Sequence, residues 1–181
     1  MTESTVSFES APLVTTRVNA KSTLVKVWQF GTLVLTALSL GMAFSHALQM
    51  PVRMRLDAYS YLGAQSLYRY YGTIGAVIEP GSVLVAAGLC LIVKQYQPTF
   101  ALTLTGAICL ATALAAWFIF TAPMNAEFIR WHSEGFPPGN WTRFRAQWEY
   151  SHFARFGLQL IGYGFLLGSV LVGPVQSRER I

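Results

Sequence analysis

Charge is scarce in this chain: only 12% of its 181 residues are Asp, Glu, Lys or Arg, whereas 53% are hydrophobic and the mean hydropathy is +0.42. That balance excludes an ordinary soluble globular domain. Cysteine is nearly absent too. Cys90 and Cys109 both fall inside apolar stretches and have no metal-type spacing, so they read as small hydrophobes and free thiols. The chain carries no glycine-rich phosphate loop, no HExxH, no nucleophile elbow and no haem motif, which removes the common signatures of nucleotide, zinc-protease and hydrolase chemistry. Dense basic runs are missing as well. A net charge of +5 and a pI near 9.5 are spread over many segments, and no nucleic-acid role is assigned.

What the chain has instead is long apolar runs. Four windows, Val25 to Leu48, Ile74 to Val93, Phe100 to Ala122 and Phe153 to Val172, meet the need for about 20 mostly apolar residues per membrane crossing. They are continuously apolar rather than alternating, which favours helices over a β-barrel. The expected fold is therefore all-α: an integral membrane four-helix bundle, residues 24–173, with a polar cap on the side opposite the termini. Residues 1–23 read as a disordered polar tail without a signal-peptide core, and residues 174–181 as a second polar tail.

Orientation is nearly balanced. The terminal side carries Arg17, Lys21, Lys26, Lys94, Arg178 and Arg180, and the other side carries Arg53, Arg55, Arg69, Arg130, Arg143, Arg145 and Arg155. All three lysines are terminal, while the far side uses arginine interleaved with Asp57, Glu79, Glu127, Glu134 and Glu149. Arginine suits fixed pairs in a folded cap, so both termini are expected to be cytoplasmic, in a bacterial inner membrane.

All three histidines, His46, His132 and His152, map to the far side. The fourth helix is expected to start after Pro137, Pro138 and Gly139, with Asn140 as its cap. Trp141, Arg145, Trp148, His152, Arg155 and Gln159 then follow at steps of three and four, one helical face descending into the apolar layer. Lipid exposure of Arg155 or His152 would cost several kcal/mol, so that face must turn inward. The tryptophans read as interface-belt aromatics. Glu149, one turn from Arg145 and from His152, allows a surface ion pair.

The second helix contains Glu79 followed by Pro80. A helix from Pro80 to Val93 would be about 21 Å long, too short for a hydrocarbon layer of about 30 Å. The helix is therefore expected to begin before Gly72 and to kink at proline, which puts Glu79 inside the bundle. There it is protonated, metal-bound or paired with a cation, Arg155 ranking first. His46 closes the first span, with Gln49 and Arg53 on the same face before and beyond a break at Pro51. Two imidazoles and a carboxyl group, His46, His152 and Glu79, are the ligand types of iron, copper or zinc sites, although a metal-free hydrogen-bonded network ranks ahead of a metal centre. Asn125, after Pro123, caps the exit of the third span or supplies an amide to a carbonyl or oxyanion. Most of Tyr59, Tyr61, Tyr68, Tyr70 and Tyr71 read as interface anchors. Gly164 and Gly168 form a GxxxG pair, which suggests tight packing or a homodimer.

Pro123-Met124-Asn125, together with Trp148-Glu149-Tyr150-Ser151-His152-Phe153-Ala154-Arg155, resembles the anthrone oxygenase-like family of small four-helix membrane proteins. Ser45-His46-Ala47-Leu48-Gln49-Met50-Pro51 and Leu67-Tyr68-Arg69 look like a bacterial branch of it, and the resemblance covers roughly Val25 to Val172. It implies oxidation of polycyclic anthrones to quinones by dioxygen, with His152 as base, Asn125 and Arg155 stabilising the enolate, and His46 and Glu79 as partners or metal ligands. His46 and Glu79 lie outside the oxygenase pattern. Three functions are carried forward: an oxidoreductase acting on a lipophilic aromatic or quinone-like molecule from the bilayer, a metal- or small-molecule-binding protein or transporter subunit, and a structural partner in a membrane complex.

Overall fold

The computed structural model describes residues 20–173, so most of the expected N-terminal tail and all of the C-terminal one lie outside the described residues. Among the described residues there are six α-helices: α1 (Ala20–Arg53), α2 (Ala58–Gln65), α3 (Arg69–Val93), α4 (Gln97–Ala116), α5 (Ala122–Glu134) and α6 (Trp141–Val172). A single 3-10 turn, Ser66–Tyr68, leads into α3, and a π turn, Trp117–Thr121, joins α4 to α5. The architecture is a helical bundle with four stretches long and apolar enough to cross a membrane: Thr23–Arg53, Tyr70–Val93, Gln97–Glu134 and Trp141–Val172. Neighbours around the ring run α1, α3, α4, α6 and back to α1.

The interior is more polar than the lipid-facing surface. α1 buries Val25, Gln29, Thr32, Thr36, Ser39, Ala43 and His46 at steps of three and four, and turns Leu38, Phe44 and Leu48 outward. Hydrocarbon tails are as apolar as leucine, so no hydrophobic force draws leucine inward and the interface selects small or hydrogen-bonding residues. Thr36 accordingly donates to the Thr32 carbonyl at 2.8 Å, and Ser39 donates to Gln159 of α6 at 3.1 Å.

α4 and α6 approach closely, backbone to backbone, and the contact uses other glycines than the GxxxG pair. A Cβ on Gly106 would sit 2.9 Å from the Gly162 carbonyl oxygen, and one on Gly162 would sit 3.1 Å from the Gly106 carbonyl oxygen. Gly164 faces open space and Gly168 approaches only Leu102.

Two expected helix ends, at Pro51 and at Pro123, are not ends. α1 continues through Pro51 to Arg53, and it starts by Ala20, inside the stretch expected to be tail. α3 runs through Pro80 from Arg69, as the span-length argument required. The third span does not exit at Pro123, because the π turn widens the helix just before Pro123 and that proline falls in the first turn of α5, where its missing N–H is harmless. α5 ends at Gly135, whose φ of 76° is the left-handed conformation that glycine tolerates and whose N–H donates to the Trp131 carbonyl at 2.9 Å. Over this end of the bundle α2, capped by Asp57, packs Tyr61 and Leu62 against Met124, Phe128, Trp131 and Trp148.

Candidate functional site

α6 enters the apolar layer with Trp148, Glu149, His152 and Arg155 buried within two turns. His152 lies eleven residues beyond Trp141, about 16 Å along the helix. From α1 comes His46, whose ring stacks on that of His152 with centroids 4.1 Å apart and planes 25° apart. Trp148 packs on both imidazoles, with centroids 4.2 Å from His152 and 5.4 Å from His46. Tyr68 and Tyr71 approach His46 from the start of α3, at 4.9 Å and 5.4 Å.

Two ion pairs flank the imidazoles. On the inner side an Arg155 Nη2 donates to Glu79 Oε2, its Nε donates to the Ala113 carbonyl at 3.1 Å, and Nη1 lies 3.3 Å from His152 Nδ1. On the outer side Arg53 holds Glu149 through two bonds of 2.7 Å, Nε to Oε1 and Nη2 to Oε2. The remaining donors of Arg53 reach the His46 carbonyl at 2.8 Å, Tyr68 Oη at 2.8 Å and Gln49 Oε1 at 3.3 Å. Tyr61 adds its hydroxyl to Glu149 Oε1 at 3.2 Å. Burial, and then the adjoining Glu149 charge, push the Tyr61 phenol well above its ordinary range.

Between the inner pair, the imidazoles and α5 lies a cavity of about 610 Å³. Its polar lining includes His46, Gln65, Glu79, Asn125, His152 and Arg155, and its walls are largely aromatic and aliphatic. Such a mixture, a few convergent polar groups in an apolar enclosure, is what small-molecule sites share. Asn125 points its Oδ1 at the indole N–H of Trp148, which donates to it at 2.6 Å. The expected site residues His46, Glu79, Asn125, His152 and Arg155 thus share one cavity. His132 reaches only its exposed rim at the end of α5.

Several readings change. Trp148 is no interface anchor; it is 1% exposed and sits at the centre of the cluster. Glu149 is buried and paired with Arg53, 96 residues away, rather than with a helix neighbour at the surface. Tyr61 is fully buried and Tyr68 and Tyr71 are half-buried, while Tyr59 and Tyr70 keep the exposure of interface anchors. As for the metal set, His46 and His152 meet but Glu79 turns to Arg155, and among the described residues no group of three His, Cys, Asp or Glu side chains could hold an ion. Arg53, Tyr68 and Gln65 are the site residues that sequence reasoning passed over. The repeat of His46, Gln49 and Arg53 on one face is the signal that could have found Arg53, and α1 carries that face unbroken through Pro51.

Compared with family models, with characterised proteins and with solved structures, the chain gives no match.

Proposed function

We propose that this membrane protein is an oxidoreductase that draws a lipophilic aromatic or quinone-type molecule from the bilayer into the cavity and oxidises it with dioxygen. The observation that carries this reading is the cavity itself, with its paired imidazoles inside and exposed residues of the membrane-spanning stretches in its wall. Beyond the π turn, α5 packs on α2 and α6, and Gly72, Ala76, Phe118 and Ile129 line the cavity while exposed at the surface of the bundle. An apolar molecule could enter there without crossing water. The resemblance to the anthrone oxygenase-like family points to the same chemistry, which in such a site runs as follows. An imidazole takes a proton from an activated methylene, and the carbanion, stabilised as an enolate by donors such as the Asn125 amide, adds dioxygen. The resulting hydroperoxide loses water across its O–O bond and leaves a carbonyl, so one methylene and one dioxygen give one ketone and one water. The lysine pattern supports cytoplasmic termini, and in a bacterial inner membrane that orientation would turn the cavity to the outer side.

A binding or transport subunit is the second reading, and one feature favours it: the buried row Gln29, Thr32, Thr36, Ser39 and Gln159 that continues below the site. The test is the full chain in lipid nanodiscs, given anthrone and monitored for oxygen uptake and quinone absorbance. Stoichiometric quinone formation that disappears in His152→Ala and in Glu79→Gln, with both variants still folded, is expected. Binding without oxidation would move the protein to the second reading; equal loss of folded protein in both variants would make the cluster structural.

A further inference from the structure

The two stacked imidazoles are not equivalent. His152 Nδ1 faces Arg155 Nη1 at 3.3 Å, and a guanidinium nitrogen can only donate. A ring nitrogen that receives an N–H carries no proton of its own, so the proton of the His152 ring belongs on Nε2, which has no partner among the described residues and belongs to a ring that lines the cavity. Arg155 cannot easily swing away, because Glu79 and the Ala113 carbonyl hold its other nitrogens and the side chain is 2% exposed. His46 is free of any such constraint. Among the described residues no hydrogen bond is made to either of its nitrogens, Nδ1 is buried without a partner, and the residue is 7% exposed on the cavity wall.

We infer that Arg155 is a positioning residue that locks His152 as an Nε2–H donor, leaving His46 as the proton acceptor of the pair. The exchange of roles is chemical: a ring fixed with its proton toward the cavity steadies a ligand oxygen, and the uncommitted ring takes the proton from carbon. This rests on the reading of the cavity as the reactive site and reverses the assignment of His152 as base.

The test begins without substrate. The full chain, labelled with ¹⁵N-histidine in lipid nanodiscs, gives three imidazole signal sets, assigned with His46→Gln and His132→Gln variants. His152 is expected with Nδ1 unprotonated and Nε2 protonated, and Arg155→Lys, which keeps the charge but loses the second nitrogen, is expected to give a mixture of tautomers. Nδ1–H on His152 in the unsubstituted protein overturns the inference, and that outcome is readable even if the Arg155→Lys chain does not fold. With anthrone as the probe, His46→Gln is expected to lower kcat by at least about 100-fold with KM little changed. His152→Gln, which keeps an N–H donor, is expected to lower kcat by about 10-fold or less. The reverse order of the two losses overturns the inference while leaving oxidation itself intact. Absence of any turnover with the expected tautomers present defeats the proposed function and leaves the positioning role of Arg155 standing.

Discussion

The two buried ion pairs look alike by composition and differ in what surrounds them. Arg53 and Glu149 are closed on every side: the glutamate side chain is 0% exposed and takes two guanidinium bonds and a tyrosine hydroxyl, while every other arginine donor that is placed meets a carbonyl, an amide or a phenol. Arg155 and Glu79 are half open, with the Glu79 side chain 17% exposed at the cavity and the arginine turned partly to an imidazole. A satisfied pair fixes geometry, whereas a pair with spare capacity facing a cavity can respond to a ligand. The outer pair fastens α1 to α6 under the cap formed by α2. The inner one lines the cavity beside Gly72 and Ala76, and on the proposed reading it is the pair that a ligand reaches.

The largest expected effect separates the two. Glu149→Leu removes one partner of the sealed pair and leaves Arg53 without a counter-charge, which should cost about 3 to 5 kcal/mol and abolish stable folded protein in mild detergent. Glu79→Gln keeps an acceptor for Arg155 at a site that a ligand or water can reach, and should cost about 1 to 3 kcal/mol while eliminating oxidation. Thermal unfolding followed beside oxygen uptake checks both. If the two variants lose stability to the same extent, the distinction between a fastening pair and a working pair fails.

How far this distinction could be read from the sequence depends on the range of the interactions. The α6 stripe was legible because ionisable residues at helical spacing in an apolar run have only one tolerable direction, inward. Glu79 was legible through length alone, since a helix starting at Pro80 could not span. Its partner Arg155 was already marked by the same reasoning. The outer pair was not legible. Glu149 has Arg145 one turn away, a local partner that periodicity offers and the fold declines: Arg145 instead donates to the Leu56 carbonyl at 2.8 Å and lies over the Trp141 ring at 4.5 Å. Proline misled in the same direction at Pro51 and at Pro123. In the apolar layer, neighbouring helices and a π turn accommodate what would break a helix in water, so Arg53 and α5 are carried further by continuous helix than local rules suggest.

A smaller effect sharpens the view of the outer pair. Tyr61→Phe removes one bond to Glu149 and should cost about 1 kcal/mol without affecting oxidation, because the arginine bonds remain. Tyr61 also gives the pair a pH signature. Its folded phenol binds its proton more tightly than the ordinary value of 10.0, burial being the main cause, so the stability it contributes is complete below pH 10 and declines as the pH rises above that. Unfolding curves at stepwise alkaline pH should show a steeper loss for the unsubstituted protein than for Tyr61→Phe. Identical slopes would mean that the phenol is not sealed.

The smallest expected effect lies at the exposed edge of the cap. Asp57 accepts the backbone N–H groups of Tyr59 and Ser60 at 3.0 Å and the Ser60 hydroxyl at 2.6 Å, which starts α2. The Ser60 hydroxyl bond, followed by that residue's backbone N–H, lowers its carboxyl below the ordinary value of 3.8. Its contribution is therefore present above that value and is lost as acid protonates the folded carboxylate. Asp57→Ala should fray the first turn of α2 and speed amide exchange there. Exchange in α6 near Glu149 should stay slow, because Tyr61 remains held by its own hydroxyl and by the packing of Trp148 and Phe128. Exchange that accelerates in both helices would show that the outer pair depends on the cap rather than supporting it, and the comparison between the sealed and the open pair would then have to be drawn from the cap inward.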